Sequence, residues 1–240
     1  MPAVFVHGVP DTQRVWQPLI RRLNRKDVVT LSLPGFGSAV PSGFAATKEA
    51  YVDWLLAELH KLPQPIDLAG HDWGAILAIR AASLEPGIAR SVATGSAALD
   101  RDYKWHQVAA LWQTPQVGEQ VMASVTPEAM RAGLMSAGVP AADATEASLH
   151  VDETMKRCIL ALYRSAIKVG DEWQDDLQRI TARGLVMWGN DDPYATPDFG
   201  ARMAQRIKAK FVSWPHCSHW WQLQRPVEAA RELEELWQST

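Results

Sequence analysis

Short apolar runs alternate along most of the chain with segments in which apolar residues recur at helical spacing. Such runs are typical of buried strands, and a spacing of about three to four residues is typical of amphipathic helices. Strands between helices predict a mostly parallel sheet with helices on both faces. The predicted strands are residues 3–6, 27–33, 66–69, 88–94, 184–188 and 210–214, and the predicted helices are residues 14–24, 47–61, 75–80, 197–208 and 226–238.

The alternation breaks between about residue 98 and residue 180, where only helical patterns occur. Because this segment enters directly after the fourth strand, we expect it to form a helical lid that excludes water and shapes a pocket. A helical excursion without function is the alternative. The predicted division is a core of residues 1–97 and 181–240 and a lid of residues 98–180.

Composition limits the classes of function. The chain has 240 residues, 47% of them apolar, and a net charge of −3, which favours neither nucleic acid nor a membrane as partner. Cys158 and Cys217 lie far apart without metal spacing and are interpreted as reduced thiols of a cytoplasmic protein. No apolar stretch has membrane-spanning length, and the N-terminus shows no signal peptide. No metal or organic cofactor is implied.

The most informative segment is Gly-His-Asp-Trp-Gly at residues 70–74, between a predicted strand and a predicted helix. A nucleophile flanked by glycines in this position forms a sharp elbow, and here the nucleophile position holds Asp72. A carboxylate attacks carbon directly and leaves an ester that water must hydrolyse. This chemistry suits epoxides and alkyl halides better than amides. The alternative is a common turn in which Asp72 caps the helix.

Other strand ends supply the partners that this chemistry requires, because the ends of parallel strands meet at one edge. His7-Gly8-Val9-Pro10 follows the first strand, and we expect the backbone N–H groups of Val9 and Trp73 to form an oxyanion hole. His7 is expected to border the substrate pocket. The alternative is an ordinary Gly-Pro turn.

The predicted orienting acid is Asp192, three positions after Gly189 and directly before Pro193. Asp191 is the main competitor, and Asp100 a distant third. The predicted base is His219, which precedes the last helical region, rather than His216. Nucleophile, acid and base then follow one another in the chain order of the α/β-hydrolase triad.

The lid offers donors for a departing oxygen or halide. A tyrosine can protonate an epoxide oxygen at neutral pH, whereas a halide needs N–H donors. The candidates are Tyr103, Tyr163, Trp105 and Trp112. Each could equally be a packing residue.

Together these motifs, with Trp16 and the Pro34-Gly35-Phe36-Gly37 loop, resemble the α/β-hydrolase branch that contains epoxide hydrolases and haloalkane dehalogenases. The resemblance covers nearly the whole chain outside the lid and implies an α/β-hydrolase fold with an Asp-His-Asp triad. The first two strands usual in the family are absent from the pattern. The exposed sheet edge that this implies could favour a homo-oligomer.

Within that branch, Leu162-Tyr163-Arg164 resembles the motif that carries one ring-opening tyrosine of epoxide hydrolases. The position of their second tyrosine falls near Val108, so Tyr103 or His106 would have to replace it. Dehalogenases of the branch hold the halide with the Trp after the nucleophile, matched by Trp73. Their second donor is an Asn, where this chain has Val9, or a lid Trp, for which Trp105 and Trp112 are candidates.

The sequence therefore predicts a hydrolase with Asp72 as nucleophile, His219 as base, Asp192 as orienting acid and Tyr163 as proton donor. The expected substrate is a small apolar epoxide, with water as the second reactant. Haloalkane dehalogenation is the first alternative. A non-catalytic binding protein with a hydrolase fold is the second.

Overall fold

The computed structural model describes residues 1–238, and its centre is a sheet of six parallel strands. The strands are β1 (Ala3–Val6), β2 (Val28–Leu31), β3 (Ile66–His71), β4 (Ala89–Gly95), β5 (Arg183–Gly189) and β6 (Lys210–Trp214). Their order across the sheet is β2-β1-β3-β4-β5-β6, so β2 and β6 lie at the edges. The parallel sheet predicted from the alternation is confirmed.

The order of the strands changes direction between β1 and β3. From β1 the chain crosses to β2 on one side, and from β3 it proceeds through β4 to β6 on the other side. The two halves diverge at the paired strands β1 and β3, where Val6 lies opposite Gly70. Ligands of open parallel sheets bind outside the strand ends at such a point.

Helices cover both faces of the sheet, and the side chains of β1 alternate between the two cores. The helices are α1 (Gln17–Ile20), α2 (Lys48–Leu59), α3 (Trp73–Leu84), α4 (Gln107–Gln113), α5 (Val117–Ser124), α6 (Pro127–Ser136), α7 (Ala141–Ser148), α8 (Glu153–Ser165), α9 (Val169–Trp173), α10 (Pro197–Arg206), α11 (Trp221–Gln224) and α12 (Pro226–Gln238), with 3-10 helices at Gln13–Trp16 and Gln174–Arg179. Val4 and Val6 share one core with α2, α3 and α10, whereas Ala3 and Phe5 share the other with α1, α11 and α12.

Two predicted elements are shorter in the structure. The helix expected over residues 14–24 is a 3-10 helix followed by α1, which ends at Ile20. Asn24 is instead tied to Glu234 of α12 by its backbone and side-chain N–H groups. The strand expected over residues 27–33 ends at Leu31, because the N–H of Leu33 donates to the His7 ring and leaves the ladder.

Between β4 and β5 the chain forms only helices, from α4 to the second 3-10 helix. The helical character expected of this segment is thus observed, while its action as a lid stays a prediction. The division into core and lid, and association through a sheet edge, stay predictions as well. Within residues 1–238 no helix has the length and apolar character needed to cross a membrane.

Candidate active site

Asp72 lies in a sharp turn between β3 and α3, with φ 52° and ψ −125°. This backbone conformation is strained for a residue with a side chain and persists only where the surroundings hold it. A Cβ on Gly74 would lie 2.1 Å from the carbonyl oxygen of Val6, and a Cβ on Gly70 would lie 2.4 Å from that of Gly74. The two glycines therefore allow β1, β3 and α3 to approach closely. The Asp72 side chain makes no capping bond to α3, which argues against a mere helix cap.

The loop after β1 supplies a backbone donor to Asp72. The N–H of Val9 donates to Asp72 Oδ1 at 2.8 Å. A Cβ on Gly8 would lie 2.4 Å from Asp72 Cβ, so this close approach also needs glycine. Trp73 is the first residue of α3, where a backbone N–H has no acceptor within the helix. Both residues thus lie where donors to an oxyanion are needed, and their catalytic role stays a prediction.

His219 lies between two carboxylates. Its Nδ1 is 2.8 Å from Asp192 Oδ2, and its Nε2 is 3.6 Å from Asp72 Oδ2. Asp192 Oδ1 accepts the N–H groups of Tyr194 and Ala195, which fixes the carboxylate. The competing candidates lie elsewhere: Asp191 and His216 are exposed, and Asp100 pairs with Arg202 and Arg206 of α10.

The charges of these three groups stabilise one another. Burial opposes protonation of His219, but the Asp192 and Asp72 carboxylates outweigh it and raise its pKa to about 10. Burial would raise the pKa of Asp72, yet the facing imidazole and the Val9 N–H hold it below its usual value. Burial would likewise raise the pKa of Asp192, but the His219 charge outweighs burial, and the pKa of Asp192 is lowered. The free enzyme therefore carries an imidazolium between two carboxylates.

His7, expected to border the pocket, serves another purpose. It is fully buried and is not among the residues that line the cavities at Asp72. Its Nε2 accepts the N–H of Leu33, and its Nδ1 donates to the carbonyl oxygen of Gly8. Burial lowers its pKa to about 4, so the ring is neutral and braces the loop.

A cavity of about 400 Å³ opens over the Asp72 carboxylate, a volume suited to a small organic molecule. Its walls come from the loop after β1, from α4, α5, α6 and α8, and from the loops after β5 and β6. A smaller space of about 20 Å³ lies beside Asp72 and His219. Of the predicted pocket residues, Trp112 borders the larger cavity, whereas Tyr103 and Trp105 border the smaller one.

Tyr163 and Tyr194 border both cavities together with Asp72. Burial raises the pKa of Tyr163 well above its ordinary value, and the Asp72 charge adds to this. Burial, with the Asp192 charge, raises the pKa of Tyr194 to about 12. Both phenols therefore keep their protons at neutral pH. The Tyr103 hydroxyl donates to the carbonyl oxygen of Tyr194 at 3.1 Å, so its proton is already used.

Two further N–H groups lie in the cavity wall. The N–H of Ala109 donates to His106 Nδ1 at 3.3 Å, and burial lowers the pKa of this histidine. The proton of the neutral ring therefore lies on Nε2. The indole N–H of Trp112 is buried and has no hydrogen-bond partner among the described residues.

Tyr194 was not among the residues proposed from the sequence. It lies two positions after Asp192, on the same loop, so its nearness to the acid could have suggested it. No local sequence pattern relates Asp11, His71 or Ser96 to His219. In the folded chain His71 and Ser96 hydrogen-bond the carbonyl oxygen of His219, and Asp11 lies beside His71. Among residues 1–238 no cluster of three or more His, Cys, Asp or Glu could hold a metal ion.

Comparison with known proteins identifies the family. A profile described as "Alpha/beta hydrolase family" matches residues 3–232. The (E)-2-((N-methylformamido)methylene)succinate hydrolase of Acinetobacter baylyi is 22% identical over 209 residues, which cover 86% of this chain and 78% of that enzyme.

Solved structures show the same fold. Haloalkane dehalogenase DbeA from Bradyrhizobium elkani superposes with a TM-score of 0.79 at 18% identity, covering 100% of this chain and 91% of that one. The 2-hydroxy-6-oxo-6-phenylhexa-2,4-dienoate hydrolase from Rhodococcus sp. strain RHA1 gives 0.82 at 19% identity, covering 99% and 91%. At these identities the likeness concerns the fold.

Proposed function

The chain belongs to the alpha/beta hydrolase family, and from that premise we propose that it hydrolyses epoxides through an ester on Asp72. The main support for the proposal is that Tyr163 is buried and lines the same two cavities as Asp72. A carboxylate nucleophile and a phenol that keeps its proton are the two groups that epoxide opening needs.

In the first step, Asp72 Oδ2 attacks an epoxide carbon and Tyr163 donates its proton to the departing oxygen. Because its pKa is held low, Asp72 is ionised over the whole neutral range. His106 is the better candidate for the second donor, since it lines the cavity with its proton on Nε2, while the Tyr103 hydroxyl is already bonded. The product of this step is an ester of Asp72 and the ring-opened alcohol.

Formation of the ester converts His219 into a base. The imidazolium of the free enzyme is stabilised by two carboxylates, and the ester removes the charge of one of them. The pKa of His219 therefore falls, and its proton returns, through solvent, to the Tyr163 phenolate left by the first step. The neutral ring can then take a proton from water. The N–H groups of Val9 and Trp73 stabilise the oxyanion that forms when this water attacks the ester. Asp192 stabilises the returning imidazolium.

Haloalkane dehalogenation is the second candidate, favoured by one observation. Trp112 lines the cavity, and its buried indole N–H, which has no partner among the described residues, is a candidate halide donor together with Trp73. Against it, the Trp73 ring packs edge-on against the Tyr163 ring, with centroids 5.4 Å apart, and stacks on the Trp105 ring, with centroids 5.9 Å apart. The Trp73 side chain thus has other partners, which favours the epoxide.

Paired substitutions assayed on one epoxide and one bromoalkane test the proposal. We expect Tyr163→Phe to lower epoxide turnover by roughly 10²–10⁴-fold, the usual contribution of a general acid. Trp73→Phe should cost less, since its backbone N–H remains. Tyr51→Phe is the matched control, because it removes a buried hydroxyl that donates to Pro34, away from Asp72.

A dehalogenase would invert this ranking. Trp73→Phe and Trp112→Phe would then abolish halide release, and Tyr163→Phe would be nearly silent. A wild type inactive on both substrates would contradict the proposal and favour either hydrolysis of another ester or a binding protein with a hydrolase fold.

A further inference from the structure

A buried carboxylate lies next to the segment that carries the base. Asp11 belongs to the loop that also carries Val9, and it is 3% exposed. The indole N–H of Trp220 points at both of its oxygens, at 3.2 Å and 3.0 Å. Trp220 follows His219 directly. Asp11 thus connects the loop that carries the oxyanion donor to the segment that carries the base.

The neighbour of Asp11 on the other side is His71, which precedes Asp72. The His71 ring is fully buried, and its Nε2 lies 2.9 Å from the carbonyl oxygen of His219. A carbonyl oxygen only accepts, so Nε2 carries the proton, and the Nδ1 of the neutral ring is an acceptor. The Ser96 hydroxyl donates to the same carbonyl at 3.0 Å. Two donors therefore fix the backbone of His219.

The acceptor Nδ1 of His71 faces the carboxyl of Asp11. Nδ1 and Asp11 Oδ2 are 3.8 Å apart, and Nδ1 has no other partner among residues 1–238. A buried carboxylate with one indole donor and no cation in direct contact is poorly compensated, and two facing acceptors repel each other. One proton on Asp11 removes both problems, since the acid O–H can then point towards Nδ1, directly or through a water.

We propose that Asp11 is a positioning residue that shares one proton with His71 and thereby fixes His219 and Trp220 over Asp72. The proposal rests on His219 being the base of the proposed ester hydrolysis. Burial raises the pKa of Asp11 to about 7, and burial lowers that of His71 to about 3, so the proton belongs to the acid. A surface groove of about 540 Å³ reaches Asp11 and lets this proton exchange with solvent.

The charged surroundings determine the direction of the effect. When Asp11 loses its proton, the new charge stabilises the His219 imidazolium and leaves two acceptors facing each other. Both changes disfavour the neutral form of His219, which is the form that must take a proton from water. The titratable or charged groups that face Asp11 are Asp72, His71, His219 and Tyr194 in the site and Glu146 of α7, which pairs with Arg14.

The first test compares ester hydrolysis at pH 6 and pH 8 in wild type and Asp11→Asn. Asparagine keeps an acceptor for Trp220 and offers a permanent N–H towards His71, so it imitates the protonated acid. A one-unit rise in the pKa of the base lowers its neutral fraction about tenfold where the pH lies below that pKa, and by less where the pH lies above it. We therefore expect the ratio of variant to wild-type rate to rise between the two pH values, by up to about tenfold. A constant ratio would overturn the proposal.

Two variants serve as controls for this test. Asp143→Asn removes a carboxyl from the same groove but away from His71, and its ratio to wild type should stay constant. Asp11→Ala provides neither the acceptor nor the donor and should be slower than Asp11→Asn at both pH values. A rise in the Asp143→Asn ratio equal to that of Asp11→Asn would assign the effect to groove charge and overturn the proposal.

A second measurement needs neither a variant nor turnover. In wild-type protein labelled with ¹³C at the aspartate carboxyl, the Asp11 signal should titrate with a midpoint above pH 6. A midpoint near the ordinary value of about 4 would overturn the shared proton, whether or not the enzyme acts on epoxides. A high midpoint in a protein without epoxide turnover would support the proton pair and contradict the proposed function.

Discussion

At the scale of the residue, two neighbouring aspartates after β5 show how position decides function. Asp192 is buried and binds the Nδ1 side of His219, which keeps that nitrogen protonated. The Nε2 of the ring is then turned towards Asp72. Asp191 is exposed, and its backbone N–H donates to the carbonyl oxygen of Cys217. Of the two, only Asp192 lies where it can select the tautomer that the proposed general-base step needs.

We therefore expect Asp192→Asn to lower turnover by roughly 10²-fold or more, because the base loses its orientation and the stabilisation of its charged form. Asp191→Asn should leave turnover essentially unchanged. Steady-state assays of both variants, with thermal melts to verify folding, make the comparison. The opposite ranking would mean that Asp191 is the orienting acid.

At the scale of the element, close packing of β1, β3 and α3 sets the position of Asp72. Gly74 is the most restrictive contact, since the backbone of β1 occupies the place where its side chain would be. Any side chain there must move α3 away from the sheet. The turn at Asp72 would move with it.

Gly74→Ala should thus lower the free energy of unfolding by roughly 1–3 kcal/mol, as overpacking of a dense core typically does. Turnover should fall as well, because the Asp72 carboxylate shifts relative to His219. Gly87→Ala is the control: its Cβ would meet nothing within 4 Å, so stability and turnover should be retained. Denaturant unfolding and one activity assay suffice. A Gly74→Ala protein as stable and active as wild type would show that the elbow is not packed as described.

The sequence predicted that the buried strands and helices exist, but it did not predict where several of them begin and end. The strand before Asp72 was expected to end at residue 69 but continues to His71, because its last residues pair with Thr94 and Gly95 of β4. The helix α3 is buried on nearly all sides, so its apolar pattern does not mark where it begins or ends. Where an element begins or ends depends on contacts with residues that are distant in sequence.

At the scale of the whole molecule, the strand ends that carry Val9, Asp72, Asp192 and His219 could be predicted, because each follows an apolar run and has a recognisable turn. The structure brings these four residues together. Asp11 and His71 could not be assigned in this way, since their relation to His219 depends on contacts between the loops after β1, β3 and β6. The choice of His106 over Tyr103 likewise depends on hydrogen bonds that only the folded chain reveals.

The central claim is the ester on Asp72, and the most direct measurement is mass spectrometry of His219→Gln after incubation with an epoxide. The substitution removes the base but leaves the nucleophile and Tyr163, so the first step should proceed and the second should stop. We expect the peptide that contains Asp72 to gain the mass of the epoxide, and the double variant that also carries Asp72→Asn to gain nothing. An active wild type whose His219→Gln variant carries no adduct and turns over normally would contradict the account.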